Sequence, residues 1–179
     1  MVTAADILAV AGHREGYWTL SFPMFGAEKR GSPVVSYLRI SDKRITIRDE
    51  IYKPDYVVVL DPSLIEFEYV KSGLKRFMIV NYPDLKKAKE KIGIENVISL
   101  NATKIAMEVL GKPITNTAMV GAFAGFTKII KLETLKDVVF EWFEKKGEEI
   151  AQKNVEVVER AYREVMKYED KPGSSIKTS

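Results

Sequence analysis

The sequence predicts an α/β protein, a three-layer α/β/α sandwich around a mixed, largely parallel sheet. Three short runs are continuously apolar, which is typical of strands buried on both faces; they are residues 56–60, 77–80 and 97–100. Helical segments separate these runs, and such alternation indicates parallel strands joined by helical crossovers. With 179 residues, the chain is long enough for one domain with a substantial core, and we place that domain at residues 1–168.

The first element is a helix, predicted over residues 3–11. Thr3 is the expected N-cap, and Asp6, three residues later, occupies a position like that of a capping box. Gly12 or Gly16 is expected to end the helix, because glycine readily adopts the left-handed conformation found after helix ends.

A hairpin is predicted next. Residues 17–22 and 34–40 are apolar runs that indicate strands, and residues 41–43 indicate a turn. Residues 44–48 alternate in polarity, which predicts a half-exposed antiparallel strand. The hairpin centred on Asp42 would then supply the antiparallel part of the sheet.

The remaining elements are helices, apart from a short tail. Gly121 and Gly125 lie four residues apart in one of them and would let another element pack closely. Residues 169–179 are polar and predict a disordered tail. The predicted helices cover residues 84–92, 102–110, 117–128, 132–146 and 150–168.

The composition excludes several classes of protein. The 28 basic and 25 acidic residues give a net charge of only +3 and interleave along the chain, so we expect no nucleic-acid surface. No apolar run approaches the roughly 20 residues that span a bilayer, and the first residues lack a signal-peptide layout. We therefore expect a cytoplasmic protein without membrane contact. The many charged side chains are typical of thermophiles.

Few side chains are candidates for chemistry. The absence of cysteine excludes disulfides, thiol nucleophiles and cysteine-ligated iron–sulfur clusters on this chain. The single histidine, His13, lies near a helix end with no triad partner, and no His, Asp or Glu residues have metal-ligand spacing. Asp61 follows a buried strand, where α/β proteins bind ligands, but Pro62 behind it favours a helix cap. We therefore predict no catalytic residue and no metal site.

One loop has a restricted backbone, since it contains two glycines and two prolines, and a cluster of charged residues occupies its middle. Such a loop is either a surface connector or a contact with a ligand or partner. The residues in question are Phe25, Gly26, Glu28, Lys29, Arg30 and Gly31.

This loop and two later segments resemble the gamma subunit of 2-oxoacid:ferredoxin oxidoreductases. The matching segments are Phe-Gly-Ala-Glu-Lys-Arg-Gly-Ser-Pro at residues 25–33, the Pro-Asp-strand-Asp pattern within residues 51–61, and Asn-Thr-Ala-Met-Val-Gly-Ala at residues 116–122. Lys29 and Ser32 replace the arginine and alanine usual in the family. The family also has a strand and a Gly-Arg-Gly-Gly-Gln-Gly loop ahead of its first helix; this sequence starts at that helix, so we expect a late start or a truncation.

The resemblance implies a subunit that is inactive alone. In the family, other subunits or domains carry thiamine diphosphate, Mg and iron–sulfur clusters, and the complex converts a 2-oxoacid and coenzyme A to acyl-CoA and carbon dioxide while it reduces ferredoxin. No cofactor is then expected on this chain, and its partners would be alpha, beta and delta-type subunits. The resemblance further implies that Thr3 and Ala4 approach coenzyme A, and that the loop, Asn116 and Thr117 face a partner or a cofactor.

Two alternatives remain open at this point. One is a stand-alone α/β domain that binds a small molecule, and the other is the gamma-like domain of an indolepyruvate-type oxidoreductase. Partner genes that encode a thiamine-diphosphate motif or ferredoxin-type cysteines would favour the complex over the first of these.

Overall fold

The computed structural model describes residues 2–24 and 34–168. Its strands are β1 (Trp18–Met24), β2 (Val35–Ser41), β3 (Tyr56–Val59), β4 (Phe77–Asn81) and β5 (Val97–Leu100). Its helices are α1 (Val2–Arg14), α2 (Glu68–Lys71), α3 (Leu85–Ile92), α4 (Ala102–Leu110), α5 (Asn116–Thr127), α6 (Leu132–Phe143) and α7 (Glu148–Met166), and 3₁₀ turns cover Pro62–Leu64 and Glu144–Lys146.

The described strands form two separate sheets. β1 and β2 pair antiparallel along their whole length, with Trp18 opposite Ser41 and Met24 opposite Val35. β3, β4 and β5 form a parallel sheet in sequence order, with Tyr56 opposite Phe77. The predicted α/β class is confirmed, and its antiparallel strands form a sheet of their own.

The parallel sheet lies between two apolar cores, because successive side chains of a strand point to opposite faces. Ile79 and Ile98 join the larger core with α1 and α4 to α7. Met78 and Val80 join a smaller core on the other face with Ile92 of α3. This arrangement is the predicted sandwich of helices, sheet and helices.

The closest packing in the larger core is between α5 and α7. A Cβ atom at Gly121 would lie 2.4 Å from the carbonyl oxygen of Val158, and one at Gly125 would lie 2.5 Å from that of Tyr162. Because no side chain fits there, the two glycines allow the two backbones to touch. The close approach expected from their spacing is confirmed, and α5 is buried along almost its whole length.

Polar contacts fix the ends of two helices. The Arg14 guanidinium at the end of α1 pairs with Glu141 of α6, with one Nη1–Oε1 distance of 2.9 Å, and this hydrogen bond lowers the pKa of Glu141. Behind α7, the Tyr168 hydroxyl donates to the carbonyl of Ser99 in β5 at 2.6 Å. Burial raises the pKa of Tyr168, so the phenol stays protonated as a donor at neutral pH.

The strand predicted at residues 44–48 is wrong. The structure has no regular element there, and four of the five side chains are exposed. β1 already occupies one edge of β2 along its full length, so the hairpin partner of β2 precedes it and does not follow Asp42. Alternating polarity indicates a half-buried strand but provides no partner for it.

The predicted start of α1 is also wrong in detail. Thr3 lies within the helix and is not its N-cap. The Asp6 carboxylate accepts a hydrogen bond from the Ser21 hydroxyl of β1 at 2.6 Å, so Asp6 joins the helix to the hairpin and forms no capping box. Gly12 lies inside the helix, and Gly16, with φ of 90°, follows its end.

The helix predicted over residues 132–146 is regular only to Phe143.

The contact between α5 and α7 predicts a large effect of one methyl group. Gly121→Ala forces a side chain against the backbone of Val158, and we expect it to lower the free energy of unfolding by about 2 kcal/mol. Gly12→Ala is the matched control, because its Cβ meets only side-chain carbons, the Thr19 methyl group at 3.0 Å and two Ile40 carbons at 3.7 Å. Alanine also favours the helix, and we expect this variant within about 1 kcal/mol of the parent. Urea unfolding measures both, and equal stability of the two variants would contradict the close contact.

Candidate functional site

Two clefts lie beside β3 and meet at Leu60, which lines both. The larger has a volume of about 750 Å³ and lies between β2 and β3. The smaller has a volume of about 460 Å³ and lies at the carboxyl edge of the parallel sheet. Open α/β sheets bind ligands at their carboxyl edge, so the smaller cleft is the first candidate for a functional site.

The floor of the smaller cleft is built around Asn81, the last residue of β4, which is 3% exposed. Its Nδ2 donates to the Leu60 carbonyl and to the Thr103 hydroxyl, both at 2.9 Å. Its Oδ1 accepts from the Thr103 amide at 3.2 Å. One buried side chain therefore holds the end of β3 and the start of α4 together, and its hydrogen bonds are satisfied within the protein.

Two further caps shape this edge of the sheet. The Asp61 carboxylate accepts from the Ser63 amide at 2.9 Å, so the interpretation of Asp61 as a helix cap is confirmed. Asn101 caps α4 through the Lys104 amide at 3.0 Å. These hydrogen bonds use groups that would otherwise be free to bind a ligand.

The start of α5 separates Asn116 from Thr117, two predicted site residues. Asn116 lines the smaller cleft, and Thr115 before it makes no side-chain hydrogen bond to the helix. Thr117 is 1% exposed, and its hydroxyl donates to Asn154 of α7 at 3.1 Å. Asn116 therefore faces the cleft, whereas the Thr117 side chain is part of the helix packing.

The other predicted site residues lie in α1 and in the loop. Ala4 is 8% exposed and lines the larger cleft, and Thr3 beside it is half-buried. Ala4 and Asn116 thus line neighbouring clefts that share Leu60. The predicted loop contacts lie outside the described residues: Phe25, Gly26, Glu28, Lys29, Arg30 and Gly31.

The larger cleft has an apolar interior, and most of the charged side chains that line it are basic. Side chains of α1 and α5, among them Leu8 and Phe123, line its interior. Five basic residues and one acidic residue, Asp55, also line it, and Asp55 pairs with Arg76 at 3.9 Å. No local motif marks this basic set in the sequence, although its members lie close to the predicted strands: Arg39, Arg44, Lys53, Lys75 and Arg76.

The described residues contain neither a metal-ligand cluster nor a membrane-spanning helix. No three His, Asp or Glu side chains come together there as ligands for a metal ion. Among the same residues, no helix combines the length and the apolar character needed to cross a membrane.

The comparisons with known proteins agree with the sequence resemblance. Residues 1–164 match the family described as pyruvate ferredoxin/flavodoxin oxidoreductase. The chain belongs to this family. The pyruvate synthase subunit PorC of Methanocaldococcus jannaschii is 45% identical over 166 residues, which cover 93% of this chain and 90% of the relative.

Two further relatives support the same assignment. The common gamma subunit of the pyruvate/ketoisovalerate oxidoreductases of Thermococcus kodakarensis is 44% identical over 94% of this chain and 92% of its own. The crystal structure of pyruvate oxidoreductase subunit PORC from Thermotoga maritima superposes with a TM-score of 0.78 at 29% identity, over 90% of this chain and 88% of that one. Within its family, the chain is of the gamma-subunit type.

The hydrogen bonds of Asn81 predict that this buried side chain stabilises the carboxyl edge of the parallel sheet. Asn81→Ala leaves the Leu60 carbonyl and the Thr103 amide without their partner, and we expect a loss of about 3 kcal/mol in the free energy of unfolding. Asn101→Ala removes only a helix cap nearby and is expected to lose about 1 kcal/mol. Urea unfolding of both variants tests this order, and a smaller loss for Asn81→Ala would show that the network contributes little.

Proposed function

We propose that this chain is the gamma subunit of a multi-subunit 2-oxoacid:ferredoxin oxidoreductase in the cytoplasm. The complex decarboxylates a 2-oxoacid oxidatively, transfers the acyl group to coenzyme A and passes the electrons to ferredoxin. The observation that carries this proposal is 45% identity to a pyruvate synthase subunit over 93% of the chain. Such identity along nearly the whole length of both proteins supports a common role as well as a common fold.

The catalytic cofactors belong to the partner subunits in this proposal. A chain without cysteine does not provide the thiolates that hold iron–sulfur clusters, and among its described residues no three His, Asp or Glu side chains come together as metal ligands. Thiamine diphosphate, Mg²⁺ and the clusters are therefore assigned to the alpha, beta and delta-type subunits. The gamma subunit contributes to their assembly and to the coenzyme A side of the site.

The carboxyl edge of the parallel sheet is our proposal for the side facing coenzyme A. Thr115 and Asn116, at the start of α5, line the smaller cleft, and the Thr115 side chain does not cap the helix. Helix N-termini favour anions, since their amides are unpaired and the helix dipole is positive there. Thr3 and Ala4, in the first turn of α1, would lie beside the same ligand.

The Phe25–Pro33 segment is the proposed contact with a partner subunit or with coenzyme A. It connects β1 to β2, and it carries Glu28, Lys29 and Arg30 in succession. Glycines and prolines around these charges reduce the entropy lost when such a loop is fixed by a partner.

The proposal predicts that the isolated chain has no activity. We expect no reduction of a viologen dye when the purified chain is supplied with pyruvate and coenzyme A, and we expect reduction once it is assembled with its partner subunits. Oxoacids other than pyruvate are assayed in parallel, because partner subunits bind the 2-oxoacid in this proposal and the gamma subunit does not select it. Turnover by the chain alone would contradict the proposal, and tight binding of a nucleotide by a monomer that forms no complex would favour a stand-alone binding domain.

The loop proposal is tested by charge reversal. Arg30→Glu is expected to weaken assembly or to raise the KM for coenzyme A about tenfold, because one like-charge contact at an interface opposes binding. Glu28→Lys is the matched control two residues away. Co-purification and the coenzyme A dependence of dye reduction measure the two effects separately. If both variants behave like the parent, the segment is a simple connector.

A further inference from the structure

One side of the antiparallel sheet of β1 and β2 packs on α1. A Cβ atom at Gly12 of α1 would lie 3.0 Å from the Thr19 methyl group and 3.7 Å from two Ile40 carbons, and the Ser21 hydroxyl donates to Asp6 of α1. Because successive side chains of a strand point to opposite faces, the alternate residues lie on the side away from α1. We call this side the outer face, and its residues are Trp18, Leu20, Phe22, Met24, Val35, Tyr37, Arg39 and Ser41.

The outer face is more apolar than the face that packs on α1. All of its residues except Arg39 and Ser41 are apolar or aromatic, whereas the inner face includes Thr19, Ser21 and Ser36. An antiparallel sheet that is covered on one side normally has its apolar residues on the covered side and polar residues on the other. The reversed pattern indicates that a further apolar surface covers the outer face.

The apolar residues of the outer face pack against neither core of the described structure. Leu38 and Ile40 of the inner face join the larger core, but no residue of the outer face belongs to either core or packs against it. Phe22 and Tyr37 contact each other across the two strands, with ring centroids 5.2 Å apart. Trp18 is 52% exposed, and no residue of β1 or β2 is fully buried.

The outer face borders the loop that we propose as a partner contact. Met24 comes directly before the Phe25–Pro33 segment, and Val35 follows it after one residue. Two strands of seven residues cover about 24 Å by 10 Å, which is roughly a third of the area that one partner buries in an interface of standard size. The outer face is therefore large enough to be the apolar centre of an interface that also includes the loop.

The one charged residue of the outer face favours a partner other than a second copy. Arg39 donates from Nη2 to the Asp49 carbonyl at 2.9 Å, and no carboxylate of the described residues forms a salt bridge with it. A second copy would present the same positive charge to this face. A different subunit with an apolar surface and a carboxylate at its border complements both the apolar residues and Arg39.

We propose that the outer face of β1 and β2 is the apolar centre of the interface with a partner subunit of the oxidoreductase. The partner covers Trp18, Leu20, Phe22 and Tyr37 with apolar side chains and places an acidic residue near Arg39. Aromatic side chains at the centre of an interface contribute much of the binding energy, because they bury large apolar areas there. The inference rests on the proposed function, since that function supplies the partner subunit.

Hydroxyl-radical footprinting of the whole complex tests the outer face. The oxidation rate of each side chain is measured by mass spectrometry in the isolated chain and in the chain assembled with its co-expressed partner subunits. We expect Trp18 to be oxidised at least about fivefold more slowly in the complex, because the core of an interface excludes water. Trp142 of α6, the second tryptophan of the chain and 38% exposed, is the matched reference, and we expect its rate to change less than about twofold.

A pair of double variants tests whether the apolar face drives assembly. Leu20→Lys with Phe22→Lys places two charges on the outer face, and we expect at least about a hundredfold weaker assembly. Because neither side chain packs against a core, we expect the urea midpoint of the isolated variant within about 0.5 M of the parent. A larger drop would show that the outer face belongs to the chain's own core and would overturn the inference.

Phe67→Lys with Tyr69→Lys is the control pair. These aromatic residues are 51% and 52% exposed beside and within α2, and their replacement adds the same charge at a site away from the hairpin. We expect assembly within about threefold of the parent, since most exposed side chains contribute little to binding. Equal weakening by both pairs would show that added charge alone prevents assembly and would overturn the specific role of the outer face.

The outcomes separate this inference from the proposed function. Failure of the parent chain to form any complex overturns the proposed function together with this interface. Assembly with an unchanged oxidation rate of Trp18, or with equal protection of Trp18 and Trp142, overturns the interface alone. Protection of Trp18 in the isolated chain would assign the outer face to a second copy if it depends on concentration and to the chain's own residues if it does not, and either result overturns docking of a partner subunit.

Discussion

The backbone contact between α5 and α7 is the constraint on which the larger core depends. Both helices approach at Gly121 and Gly125, where any side chain would collide with the carbonyl groups of Val158 and Tyr162. Because nearly all residues of α5 are thereby buried, α5 is the central helix of this core, and α1, α6 and the parallel sheet pack against it. A buried polar pair, Thr117 and Asn154, favours one register of this contact, since a shift of one turn would break the hydrogen bond between the two side chains.

The carboxyl edge of the sheet is rigid because its polar groups bond to one another. Asn81 joins the end of β3 to the start of α4, and Asp61 and Asn101 cap the turns on either side. Few groups at this edge remain for a ligand, and the start of α5 beside Asn116 is the part without a side-chain cap. This edge therefore offers fixed backbone groups, and its polar side chains Asn81, Asp61 and Asn101 are hydrogen-bonded within the protein.

The chain belongs to an oxidoreductase family, and its relatives are subunits of oxidoreductase complexes. The chain has no cysteine and one histidine, and no metal-ligand cluster occurs within residues 2–24 and 34–168. Its apolar clefts and basic residues are instead of the kind that interfaces use. The relatives of gamma type match this chain over nearly its whole length.

The sequence by itself determined the α/β class, the three parallel strands, the later helices and the family. These are local or short-range patterns: continuous apolar runs such as Tyr56–Val59, a cap such as Asp84 before α3, and three ordered motifs. Only the tertiary structure decided what partners each element has. It paired β2 with β1, left residues 44–48 without a strand, and used Asp6 to hold Ser21. The clefts, too, lie between segments far apart in the chain, because distances between such segments follow from packing and have no signature in local periodicity.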